Sequence, residues 1–120
     1  MQDIETIIDG LIRWGADPNA AIKRMLGDEE LFFKLMNDFI KSPDWDMLLE
    51  LINNESFKDA FVIAHRMKGS SADLSLTPLY ESLCYVTDDL RGEVEEILYS
   101  DVESLIAVKE NLYSIICKQN

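Results

Sequence analysis

His65 is the only histidine in the chain, and a lysine and a glycine follow it closely in a pattern that suits a reactive imidazole. Imidazole is a neutral nucleophile near pH 7 and can take up a phosphoryl group. Lys68 and Gly69 follow three and four residues later, so on a helix both lie one turn from His65 on the same face. An ammonium group there could pair with an anion carried by the ring. A glycine there would leave the ring uncovered.

The residues around His65 have the apolar spacing of a helix that buries one face. The predicted core face holds Phe57, Ala60, Ile63, Ala64, Met67, Ser71 and Leu74. At about 100° per residue, His65 falls about 130° from the middle of that face, so we expect it at or outside the core boundary. Phe61, Val62 and Ala72 surround it on the same flank. An apolar rim around an exposed polar group is typical of a docking site for another protein.

Gly69 interrupts an otherwise strong helical pattern. A glycine inside a helix costs about 1 kcal/mol relative to alanine, so it needs a reason. It could let another helix of the chain pack closely, or it could leave room for a partner at His65. A lone helical histidine is more often a surface residue without a role, and a lysine one turn away is usually a solvated charge. The combination His-x-x-Lys-Gly on one face favours a functional site.

Helix start signals divide the rest of the chain. Three prolines each follow a capping side chain, at Asp17-Pro18, Ser42-Pro43 and Thr77-Pro78. Proline is favoured at the first helical position because its missing N–H is not needed there. A fourth start is Asp28-Glu29-Glu30, where acidic side chains meet the positive end of the helix dipole. Apolar residues recur at helical spacing between these marks, and no strand-like alternation of useful length is found.

These signals predict an all-α fold. We expect an antiparallel, up-down four-helix bundle with additional N-terminal capping helices. The four bundle helices are predicted over residues 43–54, 56–74, 77–91 and 94–118. The corresponding domain organisation is an N-terminal helical extension over residues 1–14 and a helical bundle domain over residues 15–118.

The charge balance argues against several classes of function. The chain of 120 residues has 23 acidic and 11 basic side chains, a net charge of −12. A surface this acidic repels phosphate backbones and anionic lipid, so we expect no nucleic acid and no membrane partner. No apolar run approaches the ~18 residues that span a bilayer, and the N-terminus lacks the basic region of a signal peptide. Cys84 and Cys117 form no metal or disulfide pattern, so we expect reduced thiols in a cytoplasmic protein, with a monomer as the default state.

The run from Ala64 to Leu74 resembles the signature of the histidine-containing phosphotransfer (HPt) family. That signature is Ala-His, two residues, Lys-Gly-Ser, a small residue and then Leu, and the likeness extends over residues 15–118. The resemblance implies that His65 is the phosphoacceptor, through its Nε2. It also implies that Lys68 stabilises the phosphoryl group and that Gly69 gives an incoming receiver domain room.

The resemblance further implies partners and docking residues. The protein would exchange a phosphoryl group between His65 and aspartates of response-regulator receiver domains, in a phosphorelay that includes a sensor histidine kinase. It would need no cofactor of its own, because the receiver would supply Mg²⁺. The sequence has no Gly-rich nucleotide loop, so the protein would be a covalent carrier without ATP-dependent kinase activity. The residues expected to contact the receiver are Phe61, Val62, Gly69, Ala72 and Thr87.

Two residues depart from the family pattern. Thr87 stands where members often carry a polar residue, commonly a longer glutamine, that holds the imidazole or the phosphate. Ser75 stands where a glycine commonly ends the helix, so the turn after Leu74 could have a different shape. Neither departure affects His65 or Lys68.

Two other functions stay open at this point. A non-catalytic helical adaptor would use the negative charge and the apolar flank for binding alone, with His65 incidental. A carboxylate di-iron bundle needs Glu-x-x-His on inward faces, whereas the residue three before His65 is Val62 and the chain has one histidine. Transfer of phosphate to His65 distinguishes the carrier from the adaptor.

Overall fold

The chain forms α-helices and no strand across residues 3–92 and 95–117, the part that the computed structural model describes. The all-α prediction is confirmed. The helices of these residues are α1 (Ile4–Trp14), α2 (Pro18–Arg24), α3 (Glu29–Ile40), α4 (Asp44–Asn53), α5 (Phe57–Asp73), α6 (Thr77–Gly92) and α7 (Glu95–Ile116). The predicted ranges of α4, α5 and α6 agree with these at each end to within one residue. The predicted range of α7 runs from Val94 to Lys118, which both lie outside the described residues.

Aspartate side chains cap the first three helices. The carboxylates of Asp3, Asp17 and Asp28 each accept a hydrogen bond from a backbone N–H three residues further on, at 2.8, 3.2 and 3.0 Å. A cap of this kind stabilises a helix by about 1 kcal/mol, because it satisfies an N–H group that has no partner inside the helix. Pro18 follows its cap at the first position of α2, as the sequence predicts.

The helix that carries His65 lies at the centre of the packing. α5 makes its most extensive contact with α6 and also packs on α4, and α6 packs in turn on α7. The N-terminal helix α1 lies against α7, where a Cβ added to Gly10 would come within 3.0 Å of a side-chain carbon of Ile115. Because α4 and α6 both pack on α5, the remaining face of α5 is exposed on a helix that is held firmly in place.

A serine in the left-handed conformation ends α5. Ser75 has a φ of 54°, which a glycine adopts at lower cost. Arg24 of α2 stabilises this end, because its guanidinium donates hydrogen bonds to the carbonyl of Asp73 and to Oγ of Ser75, both at 2.8 Å. The helix therefore ends where the family pattern would place a glycine, although the residue there is serine.

Candidate functional site

His65 lies on the exposed side of α5. Its imidazole makes no hydrogen bond or ion pair with any other described residue, and it stacks on the ring of Phe61 with 5.8 Å between the ring centroids. Six residues of the predicted core face are buried, namely Ala60, Ile63, Ala64, Met67, Ser71 and Leu74, while Phe57 is half-buried. The expected placement of His65 outside the core therefore agrees with the structure.

Lys68 provides an uncommitted ammonium group one turn from His65. It is half-buried and forms no ion pair within residues 3–92 and 95–117. The neighbouring cation Arg66 is committed elsewhere, because its guanidinium binds the carboxylate of Asp44 on α4 at 2.8 and 3.1 Å. This hydrogen bond and the negative charge of Asp44 raise the pKa of the Arg66 guanidinium. Of the two cations beside His65 on α5, Lys68 is thus the one available to an incoming anion.

Gly69 faces open space. It is exposed, and a Cβ added at this position would meet no atom within 4 Å apart from its immediate chain neighbours and helix backbone. Close packing of another part of the described chain therefore does not explain a glycine inside α5. The observation agrees with the alternative, in which the missing side chain leaves room beside His65.

Six exposed or half-buried residues of α5 form a continuous strip along the helix. We call it the His65 strip and define it as Phe61, Val62, His65, Lys68, Gly69 and Ala72. Val62 is 58% exposed, Ala72 is exposed and Phe61 is half-buried. No aspartate or glutamate occurs between residues 60 and 72, in a chain whose net charge is −12. A largely apolar strip that holds one lysine and no acidic side chain is suited to an acidic partner.

Two clefts lie at the ends of the His65 strip, both between α5 and α6. One of about 280 Å³ adjoins Phe61 and is also lined by Leu90 and Arg91 of α6. The other, of about 210 Å³, adjoins Ala72 and is also lined by Tyr80 of α6. The strip therefore borders α6, so residues of that helix also face a molecule that approaches His65.

The prediction that Thr87 contacts a partner is wrong. Thr87 is fully buried between the helices, and its hydroxyl donates a hydrogen bond to the carbonyl of Cys84 at 2.9 Å. The sequence carried a signal for this, because Thr87 falls beside Leu83, Val86 and Leu90 on the apolar face of α6. A short side chain at that position turns inward and satisfies its own hydroxyl within the helix.

Arg91 belongs to the site but was not among the sequence-predicted residues. Its guanidinium carbon lies 5.3 Å from the centroid of the Phe61 ring. Arg91 is one turn beyond Thr87 on α6, so the spacing of the sequence places it on the same side of that helix as Thr87. Only the packing of α6 on α5 shows that it reaches Phe61.

Comparisons with protein-family models, with curated proteins and with solved structures find no match for this chain. Within the described residues, no group of three or more His, Cys, Asp or Glu side chains could hold a metal ion. None of the described helices combines the length and the hydropathy that crossing a bilayer requires. The case for a function therefore depends on the residues and geometry of the His65 strip.

Proposed function

We propose that this protein is a histidine phosphocarrier of the HPt type, acting in a cytoplasmic phosphorelay. The observation that carries the proposal is the exposed imidazole of His65 beside an uncommitted Lys68 and an uncovered Gly69, all on one rigid helix. The four-helix bundle of α4 to α7 is part of the proposal, and the order of packing, α4 on α5, α5 on α6 and α6 on α7, supports it. In that arrangement α1 to α3 are the additional N-terminal helices.

The proposed reaction is a direct exchange between an aspartyl phosphate and the imidazole. The unprotonated ring nitrogen of His65 attacks phosphorus, the new N–P bond forms as the P–O bond breaks, and the aspartate leaves as a carboxylate. The ammonium group of Lys68 pairs with the phosphoryl oxygens while they are bound to the ring. The receiver domain supplies the Mg²⁺ and the acidic residues that hold it. The reverse reaction passes the group to the aspartate of a second receiver.

The His65 strip supports a receiver domain as the partner. A phosphoacceptor aspartate and the carboxylates around a Mg²⁺ make the partner surface acidic, which complements the acid-free middle of α5. The apolar residues Val62 and Ala72 can be covered by the partner around the reacting groups. The open space at Gly69 lets the two backbones approach closely.

A transfer assay tests the proposal directly. Receiver domains of response regulators from the same genome are phosphorylated with radiolabelled acetyl phosphate and Mg²⁺, purified, and mixed with the protein. We expect at least one to transfer its label to His65, as a phosphate that is labile to acid and stable to base. Binding to a receiver without transfer would favour the adaptor function. A label that is stable to acid, or that maps to another residue, would contradict the carrier.

Filling the space at Gly69 is expected to block the partner without harming the fold. Replacing Gly69 by alanine should raise the free energy of unfolding by about 0.5–1 kcal/mol, because alanine favours the helix and meets no atom. Replacing Gly69 by glutamine should slow transfer from a receiver by at least about tenfold, because a long side chain keeps the reacting atoms apart.

The matched control for Gly69→Gln uses a small donor and the same protein. Phosphoramidate transfers its phosphoryl group to an imidazole with release of ammonia, and it is small enough to pass a glutamine side chain. We expect Gly69→Gln to react with phosphoramidate at a rate within about twofold of the unchanged protein. Equal transfer from the receiver in both proteins would show that no partner uses the space at Gly69.

A further inference from the structure

Phe61 contacts the imidazole of His65 and the guanidinium of Arg91. The two rings are nearly parallel, with 18° between their planes and 5.8 Å between their centroids. The guanidinium carbon of Arg91 lies 5.3 Å from the centroid of the same phenylalanine ring. A side chain of α6 is therefore connected to His65 through a ring of α5.

We propose that Phe61 and Arg91 are positioning residues that fix the imidazole of His65, an inference whose kinetic consequence rests on the proposed function. An exposed side chain without a hydrogen bond changes rotamer easily. His65 has no hydrogen bond within the described residues, and Thr87 is buried with its hydroxyl on Cys84. The stack on Phe61 is the contact that fixes the plane of the ring, and with it the direction of the ring nitrogens.

Arg91, in turn, holds the ring of Phe61 in place. A cation over an aromatic face and a parallel pair of rings each favour the contacting arrangement by a factor of several to about ten. Among the described residues Arg91 also forms an ion pair with Asp88 at 3.9 Å, which is weak because both side chains are well exposed. The face of Phe61 is therefore the better anchor for the guanidinium. This assigns Phe61 a role within the protein, in place of the partner contact expected from the sequence.

NMR of the His65 ring tests the positioning without any partner. In the unchanged protein we expect nuclear Overhauser contacts between the rings of Phe61 and His65, and a ring-current shift of the imidazole protons. Phe61→Leu should remove both signals, and Arg91→Ala should weaken both. The matched control is Lys109→Ala, which removes a comparable cation 5.1 Å from the ring of Trp45 and should leave the His65 signals unchanged.

Transfer kinetics from a phosphorylated receiver provide the second readout. Phe61→Leu should lower the maximal rate at saturating receiver by about tenfold, because the ring nitrogen no longer points consistently at phosphorus. The receiver concentration that gives half the maximal rate should change by less than about twofold. Phe61→Tyr keeps the aromatic face and should restore the rate.

The outcomes separate this inference from the proposed function. A raised half-saturating concentration with an unchanged maximal rate in Phe61→Leu would make Phe61 a receiver contact and overturn the positioning role. An Arg91→Ala spectrum identical to that of the unchanged protein would overturn the role of Arg91. If the spectra change as expected but the unchanged protein accepts no phosphoryl group, the proposed function fails while the positioning of the ring stands.

Discussion

Replacing His65 by glutamine is expected to abolish phosphoryl uptake while the fold stays intact. Glutamine is polar and of similar size, but its amide nitrogen is not nucleophilic, so no N–P bond can form. The imidazole is exposed and makes no hydrogen bond within the described residues, so the free energy of unfolding should change by less than about 1 kcal/mol. The measurements are label incorporation from a phosphorylated receiver and urea unfolding followed by circular dichroism.

The control for His65→Gln is a substitution of an exposed side chain on another helix. Lys34 on α3 is exposed, pairs with Asp38 at 2.9 Å and is not part of the His65 strip. Lys34→Gln should incorporate label like the unchanged protein. Phosphoryl uptake that survives in His65→Gln would contradict the proposed carrier, since the chain has no second histidine to replace it.

The features that could be predicted from the sequence are those that depend on one helix alone. The exposure of His65 follows from the spacing of apolar residues along α5, and the ranges of α4 to α6 follow from the apolar spacing in their own segments. Asp17 and Asp28 cap helices through contacts three residues away, which a sequence displays directly.

The features that could not be predicted depend on how helices meet. The contact of Arg91 with Phe61 needs the packing of α6 on α5, and the bonds from Arg24 to the end of α5 join residues 48 to 51 positions apart. A pattern within one segment of the sequence cannot predict contacts between residues so far apart. Thr87 is a different case, because its place on the apolar face of α6 indicated burial and the comparison with the family pattern outweighed it.

A carboxylate between α6 and α7 gives the fold an unusual dependence on pH. Oδ2 of Asp89 on α6 is buried and accepts no hydrogen bond from another described residue. Burial raises the pKa of Asp89 to about 7, and Asp101 of α7 and the charge of Asp88 add to the effect. When protonated, Asp89 can donate a hydrogen bond to the carboxylate of Asp101. When ionised, the two carboxylates repel each other across the helix contact.

Replacing Asp89 by asparagine is therefore expected to stabilise the protein at high pH. The pKa of Asp89 is higher in the folded state, about 7 against 3.8, so the folded state binds more protons between these values. The contribution of Asp89 is thus most favourable below about pH 4 and is lost as the pH rises through about 7. The full shift would correspond to about 4 kcal/mol, and because Asp89 is only partly buried we expect about 1–2 kcal/mol at pH 8.

Urea unfolding between pH 4 and pH 8 measures the effect of Asp89→Asn. Asparagine keeps a hydrogen-bond donor for Asp101 but does not titrate, so the fall in unfolding free energy across this range should be smaller than in the unchanged protein. Asp9→Asn, on the exposed face of α1, is the control and should keep the original slope. An unchanged slope in Asp89→Asn would mean that Asp89 is already ionised throughout this range. The two carboxylates would then be tolerated together between α6 and α7, because water reaches the pair.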